Sequence, residues 1–141
     1  MSDFQSVGTQ FIAHYYNTLT TGRANLGALY TDQSMLSYEG EQFMGTQQIM
    51  EKLNGLPNLT FDSASAVADY QPSQNDGIFV LVSGCLCIDG NTDAPLRFTQ
   101  TFLLARGGAQ GYYIHNEVMR LNLGWTVDNP FTKSFCKYKI L

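Results

Sequence analysis

Up to Pro57 the chain reads in helical periods, and from Phe61 it reads in strand periods; that order limits the fold more than any other feature of the sequence. Phe4, Val7, Phe11, Tyr15 and Leu19 recur at helical spacing and Ile12 widens their stripe, which predicts a long amphipathic first helix. Ser2 and Gln5 have the spacing of a capping box in front of it. The segment "TTGR" breaks the period, and "NLGALY" predicts a short second helix that places Leu26, Leu29 and Tyr30 on one side and ends near Thr31 and Asp32. "MLSYE", a turn at Gly40 and "QFMG" predict a short hairpin, after which "TQQIMEKLNGL" gives a third helix with Ile49, Met50 and Leu53 apolar, stopped by Pro57.

Four long strand-like stretches follow: "FDSASAVADYQ", "GIFVLVSGCLCI", "LRFTQTFLLA" and "YYIHNEVMRLNL", joined by the turn-rich "PSQNDG", "DGNTDAP" and "RGGAQG". Three helices followed by a meander of strands is an α+β order, and it predicts a single domain in which a curved antiparallel sheet wraps the three N-terminal helices into a cone with an internal cavity. The 141 residues suffice for one core without disulfides or metal. Residues 1–124 are expected to form that domain and residues 125–141 an extension, either an arm or a tail, since "WTVDNPFTKSFCKYKIL" has no clear period.

Charge restricts the partners. Of the 12 acidic residues only Asp128 follows Trp125, whereas Lys133, Lys137 and Lys139 all do, so the domain is more acidic than the net charge of −4 implies. This argues against a sequence-independent grip on nucleic acid and favours basic partners. Cys85, Cys87 and Cys136 are an odd, sparse set, and the closely spaced pair "CLC" is poorly placed to form a disulfide, which suits a reducing compartment. No leader pattern opens the sequence and no run has the length of a membrane span, so a soluble, unsecreted protein is expected.

Chemistry is sparsely signposted. His14 and His115 accompany no serine or cysteine in a nucleophile motif, the cysteines and histidines lack metal-ligand spacing, and "RGGAQG" reads as a hairpin turn rather than a phosphate loop. No catalytic residue, metal or cofactor is therefore assigned. A cavity enzyme of the isomerase or dehydratase type stays open as an alternative, with Glu39, Tyr15 and Asp69 as its base and donors. Against it, Glu39 adjoins a glycine turn and a second charge, the setting of a hydrated rim carboxylate with an ordinary pKa. A third pattern is an acidic rim of Glu39, Asp89 and Asp93 beside apolar Tyr38, Leu56, Phe61, Met119 and Leu121. It would fit a partner offering one aromatic side chain flanked by Lys or Arg. Ordinary turn chemistry also accounts for Asp89 and Asp93.

"FIAHYYNTL", "LGALYTDQSMLSYEGEQFMG", "IMEKLNGLP", "DYQP", "FTQTFLLA" and "NEVMRLNL" resemble the nuclear transport factor 2 family in order and spacing, over about residues 4 to 124. The resemblance implies a homodimeric cone that performs no chemistry. It implies a carrier that binds the GTPase Ran in its GDP form and the Phe-Gly repeats of nucleoporins, and takes Ran into the nucleus. Its location would be cytoplasm and nucleus, concentrated at the nuclear pores. In the family an aromatic side chain of Ran enters the cavity while basic neighbours meet rim acids. Carried over, this makes Glu39, Asp89 and Asp93 the rim and Tyr38, Leu56, Phe61, Met119 and Leu121 the pocket, with Phe98 a further candidate. Phe4 stands where the family has a tryptophan that holds nucleoporin phenylalanines, which implies weaker repeat binding. Val118 and Arg120 would face the second subunit, because strand side chains alternate. The stretches "RFTQTFLLA" and "YYIHNEVMR" also resemble the peptide-binding dimeric domain of stress-granule RNA-binding scaffolds, a second alternative.

Overall fold

The computed structural model describes residues 3–108 and 111–122. The expected extension at 125–141 lies outside the described residues. Helix α1 spans Phe4–Thr21 and buries Phe11, Ile12, Tyr15, Tyr16 and Leu19, the stripe that the helical period marks out. Its cap differs from the expected box: the Asp3 side chain accepts the Ser6 N–H at 3.2 Å, and Ser2 lies outside the described residues. Aspartate serves the same purpose as serine there, supplying an oxygen to an otherwise unpartnered N–H of the first turn. The second helix is a 3-10 turn, Arg23–Leu29, with Leu26, Leu29 and the following Tyr30 buried.

The hairpin forms from β1 (Met35–Tyr38) and β2 (Glu41–Met44), and α2 covers Gly45–Asn54. Tyr38 pairs with Glu41, so the connection is the two residues Glu39 and Gly40, with φ of 51° and 89°. Positive φ at both places is the turn that matches the twist of a tight hairpin, and glycine takes it without strain. Four long strands complete the sheet: β3 (Leu59–Pro72), β4 (Ile78–Ile88), β5 (Leu96–Arg106) and β6 (Tyr112–Leu121).

These strands make one sheet in the order β2-β1-β6-β5-β4-β3. The α+β architecture is the expected one, with a single parallel join: β1 runs alongside β6, from Met35 opposite Asn116 to Tyr38 opposite Met119. The sheet is therefore mixed rather than wholly antiparallel. Inward residues Val80, Val82, Phe98, Phe102, Leu104, Ile114 and Met119 meet the buried stripe of α1 and the residues Leu26, Leu36, Ile49 and Leu53.

Two irregularities bend the sheet over the helices. In β3 the register passes from Asp62 opposite Cys85 to Val67 opposite Ser83, so the four residues Ser63 to Ala66 face Gly84 alone and three of them are extra. Such an insertion kinks the strand and resets which face its side chains take. Phe61 accordingly points inward, while Val67, which unbroken alternation would have placed inward as well, is exposed. In β6 the partners of Leu103 and Leu104 are Asn116 and Ile114, so His115 is the extra residue and the inward face passes from Met119 and Glu117 to Ile114.

Close contact between α1 and the sheet depends on Gly8, which is buried and where an added Cβ would stand 2.5 Å from the Tyr70 ring. Gly8→Val is expected to destabilise the domain by about 1–3 kcal/mol through overpacking, as read by urea unfolding, whereas a valine at exposed Ala13 is expected to cost under ~1 kcal/mol.

Candidate functional site

An apolar slot opens between the helices and the inner face of the sheet. Its walls are Leu19 of α1, Tyr38 of β1, Leu53 and Leu56 around the end of α2, Leu59 and Phe61 of β3, Leu86 of β4, Phe98 of β5 and Met119 of β6. Tyr16 of α1 stacks on Phe61 with centroids 3.9 Å apart and planes 12° apart, which fixes one wall. The slot encloses about 400 Å³ out to its open mouth, but only about 20 Å³ of that admits the centre of a water molecule. At rest it therefore takes about one or two waters, and a larger apolar group enters only as Met119, Leu56 and Tyr38 move aside.

The floor is polar and fully paired. Glu117 is 2% exposed. It accepts the hydroxyl of Tyr30 on Oε1 at 2.6 Å, and on Oε2 the hydroxyl of Tyr15 at 2.9 Å and the amide of Gln100 at 2.6 Å. Tyr16 donates to Gln100 Oε1 at 2.6 Å and closes the network. Burial raises the Glu117 carboxyl above the usual glutamate range, and the hydrogen bonds from Tyr30, Tyr15 and Gln100 pull it partly back. Burial, and then the Glu117 charge, push the hydroxyls of Tyr15, Tyr16 and Tyr30 well above the ordinary tyrosine value.

Arg23 holds the wall formed by α2 and its loop. Its guanidinium donates to the carbonyls of Leu53 at 3.0 Å, Leu56 at 2.6 Å and Pro57 at 2.6 Å, filling acceptors that the end of α2 leaves open. Lys52 stands over the rings of Tyr38 and Phe43 at 5.1 and 5.7 Å and pairs with exposed Glu41 at 3.2 Å.

Most of the expected pocket residues converge here. Tyr38, Leu56, Phe61, Phe98 and Met119 line the slot, while Leu121 packs against the core beyond the described wall. Glu39 follows Tyr38 at the mouth, half-buried, and its carboxylate accepts the Leu121 N–H. It is thus a hydrogen-bonded rim charge rather than the freely hydrated one expected from the glycine turn. Asp89 closes β4; its Oδ1 accepts the Asn58 N–H at 3.2 Å and its own N–H bonds Asn58 O at 2.8 Å, which ties it to the loop that carries Leu56. Asp93 is exposed farther along the same loop, with its N–H on Asn91 Oδ1 at 3.2 Å, and no contact among the described residues brings it to the slot. Phe4 opens α1 and is half-buried against the core. Val118 and Arg120 lie on the outer, exposed face, opposite Met119.

The acid–base grouping of Glu39, Tyr15 and Asp69 does not assemble: Tyr15 is in the floor, Glu39 is on the rim, and Asp69 is exposed opposite Leu81 on the outer face. Sequence reading passed over Glu117, Gln100 and Arg23. Alternation had Glu117 on the same face as Met119, and a lone carboxylate on an apolar face was the available signal. Arg23 gave no comparable signal, since its acceptors are backbone carbonyls more than 29 positions away. Among the described residues no group of three or more His, Cys, Asp and Glu could hold a metal, and no helix is long and apolar enough to cross a membrane.

A sheet curled over helices around one apolar slot, with carboxylates near its mouth and a hydrogen-bonded polar floor, defines a cone-shaped α+β domain. Residues 7–121 match the family model of the nuclear transport factor 2 domain, and the chain belongs to that family. It is 43% identical to nuclear transport factor 2 of Emericella nidulans over 86% of this chain and 97% of that one. It is 41% identical to nuclear transport factor 2 of Oryza sativa subsp. japonica over 86% and 99%. Among solved structures, nuclear transport factor 2 from Cryptosporidium parvum superimposes with a TM-score of 0.77 at 42% identity, over 84% of this chain and 94% of that one.

Removing the Tyr30 hydroxyl as Tyr30→Phe is expected to cost about 1.5–3 kcal/mol in urea unfolding, the loss of a hydrogen bond to a buried charge. The raised Glu117 carboxyl holds its proton more tightly folded than unfolded, so its ionisation erodes stability as pH climbs above the ordinary glutamate range. The stability of the native chain relative to Glu117→Gln is therefore expected to fall as pH climbs above the ordinary glutamate range, measured as the difference in urea midpoints.

Proposed function

We propose that this protein is a nuclear transport carrier that performs no catalysis, binds Ran in its GDP form through the slot and its rim, binds nucleoporin Phe-Gly repeats, and brings Ran into the nucleus. The observation that carries the reading is the slot: apolar in its walls, gated by Met119, Leu56 and Tyr38, and flanked by Glu39 and Asp89, neither of which has an ion-pair partner among the described residues. A cationic side chain beside an inserted ring would meet those carboxylates, and a desolvated ring would supply most of the affinity. The floor supports a receptor rather than an enzyme, since each oxygen of Glu117 already accepts a hydrogen bond and none is left aimed into the slot as a base. Asp93 contributes less than Asp89, because Asp89 is anchored to the slot wall and Asp93 is not. Leu121 acts through the backbone N–H that orients Glu39.

The outer face of the sheet suits a second copy of the chain. Val67, Phe79, Leu81 and Val118 are 63%, 42%, 36% and 43% exposed, and Leu81 and Val118 flank Thr101 in one cross-strand row. An apolar row of this kind on a sheet face is a protein interface more often than a free surface. Val118 and Arg120 would sit in that interface, and Phe4 would present its ring to nucleoporin phenylalanines near it. The protein would then pass between cytoplasm and nucleus and concentrate at the pores.

Glu39→Gln keeps an acceptor for the Leu121 N–H while removing the charge, so it separates binding from folding. It is expected to weaken Ran-GDP by about 2 kcal/mol, roughly 30-fold, in calorimetric titration, with unchanged urea midpoint. Ran carrying a non-hydrolysable GTP analogue should not bind the native protein. Equal affinity of native and Glu39→Gln protein for Ran-GDP would remove Glu39 from the site. Val118→Arg is expected to give a monomer by light scattering at micromolar concentration.

A further inference from the structure

The chain leaves the described domain beside the mouth of the slot. Met119 lines the slot, Leu121 is bonded to rim Glu39, and Asn122, the last described residue, donates its N–H to Arg97 O at 2.8 Å. The sequence beyond, which ends "NPFTKSFCKYKIL", has the charge opposite to the domain, with Lys133, Lys137 and Lys139 against Asp128, and it carries aromatic residues among those lysines. Phe135 stands two positions from both Lys133 and Lys137. In an extended segment, residues two apart share a face, so the ring would be presented with a cation on either side.

From this complementarity we infer that the C-terminal segment is an internal occupant of the slot: Phe135 enters it, Lys133 and Lys137 meet Glu39 and Asp89, and an external ligand must displace them. The inference rests on the reading of the slot as a receptor for a ring flanked by cations. Reach is no obstacle. The 13 positions from Asn122 to Phe135 span about 20 Å as a flexible chain and at most about 45 Å when straight. A tether of that length holds the ring at an effective concentration in the millimolar range, so an intrinsic dissociation constant of about 0.1 mM would fill the slot about nine times in ten and weaken an external ligand about tenfold. Both rim carboxylates take part, which makes the occupancy sensitive to salt.

The test uses the full chain with 13C-labelled methionine methyls, the Met119 signal being assigned from Met119→Leu. Phe135→Ala and the double substitution Lys133→Glu, Lys137→Glu are compared with the native chain, and the native chain at about 0.05 M and 0.5 M salt. The Met119 methyl resonance is expected to move to a common position in both variants, and high salt should move the native signal the same way. Ran-GDP should then bind each variant about 3- to 10-fold more tightly than it binds the native chain. A Met119 signal that is the same in the native chain and both variants overturns the inference, whatever Ran does. Absence of Ran binding in every form, with the Met119 shifts present, sinks the transport reading and leaves the internal occupancy standing.

Discussion

Glu117 is the constraint around which the rest of the domain is organised. Tyr15 comes from α1, Tyr30 from the end of the 3-10 turn, Gln100 from β5, and all three donate to one carboxylate on β6. Withdrawing an ionised carboxylate from water is among the larger costs a small domain can carry, and it is tolerable only when every oxygen is paired with good geometry. Elements remote in sequence must therefore arrive together or the charge is stranded. This converts hydrophobic packing, which many arrangements could satisfy, into one arrangement with a fixed rotation of α1 and a fixed register of β6. The same groups form the floor of the slot, so the interaction that specifies the fold also denies the slot a reactive base.

The two irregularities in the sheet act on the same geometry from the other side. An unbroken β3 would direct Val67 into the interior. The three inserted residues instead deliver Phe61 to Tyr16 and let the strand turn around α1. In β6 the extra residue His115 places Glu117 and Met119 at the slot while Ile114 still enters the core. Arg23 then fixes the remaining movable wall by taking three carbonyls at the end of α2. The slot is thus built from strand irregularities and an arginine clamp as much as from the apolar residues that line it.

What could be read in the sequence follows from the range of the interactions. The stripe of α1, the Glu39-Gly40 turn and the alternation along β4 and β5 are set by residues a few positions apart, and each was legible. The parallel join of β1 to β6 was not, because four residues of strand carry no sign of a partner 80 positions away. Nor was the face switch in β3, since "DSASA" keeps no apolar period from which a bulge could be inferred. Of the residues that the resemblance to a family put in the pocket, Tyr38, Leu56, Phe61 and Met119 line the slot and Leu121 packs against the core beside them. The floor was missed because a buried carboxylate is recognisable only once its donors are known. Asp93 carries the same sequence signal as Asp89, an acid beside a turn, but among the described residues only Asp89 is bonded to the loop that forms the slot wall.

Glu39 shows how a small bond at the rim narrows what the rim can recognise. Its positive φ and the Leu121 N–H on Oε1 hold the carboxylate in one orientation before any ligand arrives, so little side-chain entropy remains to be lost on contact. The same bond makes the two oxygens unequal, since only Oε2 keeps both lone pairs open. A guanidinium fork pairs best with two equivalent oxygens, whereas an ammonium needs one. The mouth of the slot thus presents a carboxylate oriented in advance, with one oxygen already engaged by the backbone and the other open.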